Sequence, residues 1–234
     1  MTTPREVRRD VSSPSSVPET EYLPESDGKP MAETDVHRSQ MIELLNCLEE
    51  YFRSDPRVYV TGNIFLYFRN PEGERQAISP DIFVVRGIEK KRRRIYNLDV
   101  EQKAPDVVLE LTSRHTKVED LGNKRVIYAD LGVSEYFLFD PLDGSLTPQL
   151  RGFRLQGGEY IPMVGPRSSS AALGLDLVVE DDQLRLYDSQ TGERLRTHAE
   201  AEAARRQAEA ARQEAETETA RLREELARLR ARQG

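Results

Sequence analysis

The sequence predicts an α+β domain, a mixed central sheet flanked by helices, followed by a long C-terminal helix that pairs as a coiled coil. Three observations carry that reading. Short runs of Val, Ile, Leu and Phe, each opened by a proline, lie at 81–85 and 106–111 and read as buried strands. Met41, Leu44, Leu45, Leu48, Tyr51 and Phe52 recur at helical spacing and form one apolar face. Residues 199–233 are dominated by Ala, Glu, Arg and Gln and contain no Gly or Pro.

The 234 residues are 32% charged and 37% hydrophobic, so part of the chain is expected to be solvated or extended. Residues 1–27, with Pro4, Pro14, Pro18 and Pro24 among serines, read as a flexible leader. Residues 28–196 read as the folded domain and 197–234 as the C-terminal helix. Cys47 is the only cysteine, which excludes an intrachain disulfide and fits a reducing cytoplasm. No apolar run approaches the roughly 20 residues of a membrane span, and the N-terminus lacks the apolar core of a signal peptide. A cytoplasmic protein without a membrane partner is expected. The net charge of −7 does not exclude a nucleic-acid partner, because a local cluster of cations suffices to hold phosphates.

The first helix is opened by Thr34 or Asp35, with Glu33 and His37 at its start. Val58 to Thr61 and Ile64 to Phe68 read as strands broken at Gly62-Asn63, and 70–74 as a turn. Ala77 to Val85 reads as the strand that carries Asp81. Val118 to Leu131 reads as a helix stopped by Gly132, with Leu121, Val126, Ile127 and Leu131 toward the sheet. Ser134 to Asp140 is a buried strand, and 146–195 a set of hairpins with turns at 157–158, 181–182 and 191–192. The hairpins carry no visible chemistry and are expected to cover the core or to form a dimer surface.

Asp81 and Glu110 are each embedded in an apolar run. An ionised carboxylate is costly to bury unless it is paired or binds a cation. Two such acids on adjacent strands at one sheet end make a hard-oxygen site suited to Mg²⁺ or Mn²⁺ rather than Zn²⁺. The bland reading is two acids solvated at strand ends. Lys90, Lys91, Arg92, Arg93 and Arg94 form a basic run after the Asp81 strand; Arg114 and Lys117 follow the Glu110 strand. Either run is an exposed loop or a phosphate contact. Leaving the same sheet edge as the carboxylates, the two loops would make a DNA-facing rim.

The stretches Ser79-Pro80-Asp81, Glu110-Leu111-Thr112, Lys124 with Tyr128, and 132–141 resemble the bacterial restriction-endonuclease-like domain family of the PD-(D/E)XK nuclease superfamily, over roughly residues 28–190. The resemblance implies a restriction-endonuclease-like α/β core and a Mg²⁺-dependent endodeoxyribonuclease. It places Asp81, Glu110 and the Leu111 carbonyl on the metal. Thr112 stands where the superfamily has a lysine, and the resemblance transfers that role to Lys124. It also sets the first helix beside the site, which makes His37 a secondary candidate with Glu33 and Thr112. The alternative is a nuclease-like module that no longer cuts and binds DNA or a protein through its coiled-coil tail.

In the C-terminal helix, Ala201, Ala204, Ala208, Ala211, Ala215, Leu222 and Leu229 form a heptad seam that Leu226 broadens. Eight Arg and eight Glu leave the segment neutral. A coiled coil with a second copy, giving a homodimer, or with a partner is expected, with the Leu-rich end carrying most of the association. A single solvated helix is the alternative.

Overall fold

The computed structural model describes residues 23–25, 34–113, 116–142, 144, 146–165 and 167–233. Helix α1 (Asp35–Tyr51) begins at Thr34, whose hydroxyl accepts the His37 N–H at 3.2 Å. That bond satisfies one of the donors a helix start leaves unpaired. Then follow β1 (Val58–Thr61), β2 (Leu66–Arg69), β3 (Arg75–Ile78), β4 (Ile82–Arg86), β5 (Tyr96–Asn97), the short α2 (Leu98–Glu101) and β6 (Val107–Leu111). Helices α3 (Lys117–Leu121) and α4 (Asn123–Asp130) lead to β7 (Glu135–Phe139). The chain continues with β8 (Leu150–Gln156), β9 (Glu159–Pro162), β10 (Ser168–Ser170), β11 (Leu175–Glu180), β12 (Gln183–Asp188) and α5 (His198–Gln233).

The central sheet has the order β1-β4-β6-β7-β8-β9. Its β6–β7 pair is parallel and its other pairs are antiparallel, so the sheet is mixed. A parallel pair needs a crossover, and α3 and α4 supply it. Side chains alternate across this sheet with the period of two that a strand imposes. Ile82, Val84, Leu109, Leu111, Phe137 and Phe139 meet α1 and the β10-β11-β12 sheet on one face. Phe83, Val85, Val108, Tyr136 and Leu138 meet Leu66, Phe68, Tyr96 and Tyr128 on the other. Leu175, Leu177, Leu184 and Leu186 of the hairpin region therefore cover one side of the core. The β11–β12 turn is made by Asp181 and Asp182 at φ 48° and 58°, the left-handed pair a two-residue hairpin demands.

Several expectations are corrected. The strand expected over Ala77 to Val85 is two strands, β3 and β4, in different sheets. Pro80 has no N–H to give to a ladder, and the chain changes sheets there. The expected Ile64 to Phe68 strand starts at Leu66 and joins the smaller β3-β2-β5 sheet. The single helix expected over Val118 to Leu131 is broken at Gly122, where a Cβ would lie 2.8 Å from the Val118 carbonyl oxygen. Val126 does not face the sheet but is 60% exposed, and Tyr128 takes the inward place.

Helix α5 starts on a capping box. The Thr197 N–H donates to Glu200 at 2.9 Å, and the Glu200 N–H donates back to the Thr197 hydroxyl at 3.1 Å. Arg194 lies 2.6 Å from the same carboxylate. Beyond this anchored start the helix is almost wholly exposed, with Leu222, Leu226 and Leu229 about half accessible.

Candidate active site

Pairing of Ile82 with Leu109 sets Asp81 beside Glu110 at one end of the central sheet. The alternation of side chains assigns both to the face of Phe83 and Val108. The two acids are tied to each other's strand: the Leu111 N–H donates to Asp81 Oδ2 at 2.7 Å, and the Asp81 N–H donates to Glu110 Oε2 at 3.2 Å. Gly62 lets the chain leaving β1 press on this point. A Cβ there would stand 2.0 Å from the Asp81 carbonyl oxygen, and Asn63 N–H donates to the Pro80 carbonyl at 2.9 Å.

His37 arrives from the first turn of α1. Its Nε2 is 2.7 Å from the Leu111 carbonyl oxygen and 3.5 Å from Asp81 Oδ2. Lys124 arrives from α4, with Nζ 3.1 Å from Glu110 Oε1 and 3.0 Å from Asp120 Oδ1. Tyr128, one turn further along α4, donates its hydroxyl to Glu110 Oε1 at 2.6 Å. Lys124 and Tyr128 share a face of α4 by their spacing of four, and Asp120 joins them from α3 across the break at Gly122.

Glu110 is fully buried, and burial pushes its carboxyl up to about 8 against the opposing pull of Lys124. The nearby Asp81 and Asp120 add to the rise. Burial works against the Lys124 ammonium, but Glu110, Asp120 and Asp81 more than offset it and the net displacement is upward. The Tyr128 phenol is raised by burial and by Glu110. The centre is thus an acidic pair neutralised from within the protein.

Asp81, Glu110 and the Leu111 carbonyl are the oxygen donors that a Mg²⁺ or Mn²⁺ ion would take. As arranged, the protein already engages all three: Leu111 N–H on Asp81, Lys124 and Tyr128 on Glu110, His37 on the Leu111 carbonyl. Among the described residues no group of three His, Cys, Asp or Glu side chains is placed to hold a metal ion.

The remaining candidates are scattered. Thr112 is buried, and its hydroxyl lies 3.5 Å from that of Thr116, so it closes the loop after β6. Glu33 and Arg114 lie outside the described residues, and Lys117 begins α3. The run 90–94 does not share the carboxylate edge, which corrects the expected rim. It leaves the far end of β4, about 16 Å of strand away from Asp81 at ~3.3 Å per residue. There it packs on the chain before β1, through Gly87 N–H to Arg57 O and Lys90 N–H to Pro56 O. Arg93 is withdrawn from any ligand: its side chain is 4% exposed, held by Glu101 at 2.8 and 2.9 Å and stacked over the Tyr59 ring. Lys90 spends its ammonium on the carbonyls of Phe52 and Arg53. Arg94 is ion-paired to Glu25 yet 80% exposed, and Lys91 and Arg92 are exposed. A groove of about 810 Å³ runs between the end of α1, this loop and the start of α5. Arg53, Lys90, Lys91, Arg92 and Arg196 line it, with Glu49 and Glu50.

Asp120 is a site member that residue order alone left without a role. The signal in the sequence was slight: an acid four residues before Lys124, beside the equally acidic Glu119.

A mixed sheet flanked by helices, with Asp81 and Glu110 side by side at its end, defines a restriction-endonuclease-like core. The sequence profile of the Uma2 family, described as "Putative restriction endonuclease", matches residues 18–186, and the chain belongs to that family. Among solved structures, it is similar to a putative nuclease belonging to DUF820 from Anabaena variabilis, at 18% identity and a TM-score of 0.45, covering 64% of this chain and 86% of that one. No curated protein matches.

Proposed function

We propose that the chain is a nuclease-fold module that holds DNA without hydrolysing it. The observation that carries this reading is the closed acidic centre. Lys124 and Tyr128 occupy Glu110, the Leu111 N–H occupies Asp81, and His37 occupies the Leu111 carbonyl. The spatial split between acids and cations supports it. A cutting enzyme needs the scissile phosphate at the carboxylates, whereas Lys91, Arg92 and Arg196 line a groove at the other end of β4. Clustered cations of this kind give affinity for phosphates that is independent of sequence and falls with salt. Fluorescence anisotropy with a labelled duplex in EDTA tests the reading. Binding that persists in EDTA and weakens in Lys91→Ala/Arg92→Ala supports it; absence of binding in low salt overturns it.

A second reading, a Mg²⁺-dependent endodeoxyribonuclease, is favoured by one specific observation. Asp81, Glu110, the Leu111 carbonyl and Lys124 come together from three separate elements, with Lys124 3.1 Å from Glu110. Metal-dependent cleavage that disappears in Asp81→Ala would establish it.

A further inference from the structure

The last two heptads of α5 are unlike the rest of the helix. Leu222, Leu226 and Leu229 are 49%, 53% and 49% exposed on a helix otherwise made almost entirely of Ala, Glu, Arg, Gln and Thr. With Leu222 and Leu229 at heptad position d, Leu226 and Thr219 fall at a. Glu218 and Glu225 then fall at g, and Arg223 and Arg230 at e. Upstream in the same register, a is Arg205 and Arg212, and d is Ala201, Ala208 and Ala215. Arginine at a facing alanine at d makes no apolar seam in this register, which moves Ala204 and Ala211 of the expected alanine seam out to g.

We infer that residues 215–233 of α5 form a short parallel coiled coil with a second copy of this chain, while 198–214 stays a single spacer helix. This develops the expectation of self-association through α5 and does not depend on DNA binding. Charge decides both the occupant and the direction. In a parallel pair, g of one helix faces e five residues on in the other. That sets Glu218 against Arg223 of the second copy and Glu225 against Arg230 of the second copy, each twice by symmetry. In an antiparallel pair that aligns Leu222 with Leu226 of the second copy, g faces g and e faces e. Glu225 would then meet Glu225, and Arg223 would meet Arg223. Within one helix Glu224 pairs with Arg228 at 2.6 Å, away from the seam, whereas the long exposed pair of Glu218 with Arg221 at 3.7 Å gives way to the contact with Arg223 of the second copy.

The seam is short, so the pair is weak and concentration-dependent. Sedimentation velocity on the full chain over a concentration series reads it as a doubling of mass. Glu218→Lys/Glu225→Lys sets Lys against Arg and is expected to stay at monomer mass, as is Arg223→Glu/Arg230→Glu. An equimolar mixture of the two variants is expected to return to dimer mass. Neither variant touches the folded core, and far-UV circular dichroism checks that each remains folded. Direction is read from Leu229→Cys in a Cys47→Ala background, which under mild oxidation is expected to give a covalent dimer. A wild type that stays monomeric at all concentrations overturns the inference. A dimer that survives both charge reversals, or that never cross-links through Leu229→Cys, overturns it as well. None of these outcomes bears on DNA binding, which anisotropy measures separately.

Discussion

The ammonium of Lys124 lies 3.1 Å from the carboxylate of Glu110, and the two side chains are 15% and 0% exposed. The same ammonium is 3.0 Å from the buried Asp120. Removing one partner from such a set leaves buried charge uncompensated, which costs about 3–5 kcal/mol. Lys124→Met is expected to lower stability by about that amount, read as a shift in urea midpoint at constant m. Glu110 adds a sign. Its folded pKa of about 8 is above the ordinary 4.5, so its contribution is present below 4.5 and is lost as pH rises through 8. The penalty of Lys124→Met is therefore expected to be larger at pH 9 than at pH 5; the reverse order would show that the cation is not neutralising this acid.

Tyr128→Phe removes a 2.6 Å hydrogen bond to Glu110 and keeps the ring in its pocket. Above pH 8, where Glu110 is ionised, a hydrogen bond to a charged group is worth about 1.5–3 kcal/mol. Equilibrium unfolding is expected to show a loss of that size, and a neutral result would mean that solvent reaches Glu110.

Gly62→Ala places a Cβ 2.0 Å from the Asp81 carbonyl oxygen, which is backbone and cannot swing aside. Overpacking of this kind costs about 1–3 kcal/mol or more. The variant is expected to unfold earlier and to broaden amide signals around 80–82. An unchanged spectrum would refute the close approach.

Thr197→Ala deletes half of the capping box and is expected to cost about 1 kcal/mol of stability at the start of α5. Arg194 and the Thr197 N–H hold the Glu200 carboxyl down to about 2. A depressed carboxylate contributes stability above its unfolded pKa and loses it as pH falls through the folded one. The first turn of α5 is thus expected to lose amide-exchange protection between about pH 4.5 and pH 2, with α1 unaffected.

Arg93 and its neighbours separate structure from binding. Arg93→Ala gives up the ion pair with Glu101 and the stacking on Tyr59, and is expected to lower the melting temperature. Lys91→Ala/Arg92→Ala is expected to leave melting unchanged and to reduce the salt slope of DNA binding by about one for each phosphate no longer neutralised. Equal effects on melting from both variants would contradict the assignment.

Much of the site was legible in residue order. Apolar runs after Pro80 and Pro105 marked the strands beside Asp81 and Glu110, whereas Lys124 and Tyr128 were singled out by the family resemblance and not by their spacing. The position of the 90–94 loop was not legible, for a reason of chain direction. Asp81 stands at the start of β4 and Glu110 near the end of antiparallel β6, so the loops at their edge are those before β4 and after β6. A loop that follows β4 emerges at the opposite end. The burial of Arg93 was equally hidden, because its partner Glu101 reaches it only through the turn at α2. The break at Gly122 lay within an apolar period that a single helix also satisfies.

Supercoiled plasmid incubated with Mg²⁺ or Mn²⁺, wild type beside Asp81→Ala purified in parallel, tests the central claim most directly. The closed acidic centre predicts that plasmid is retarded by both proteins and nicked by neither. Metal-dependent nicking by wild type that is absent from Asp81→Ala would contradict it and establish an endonuclease.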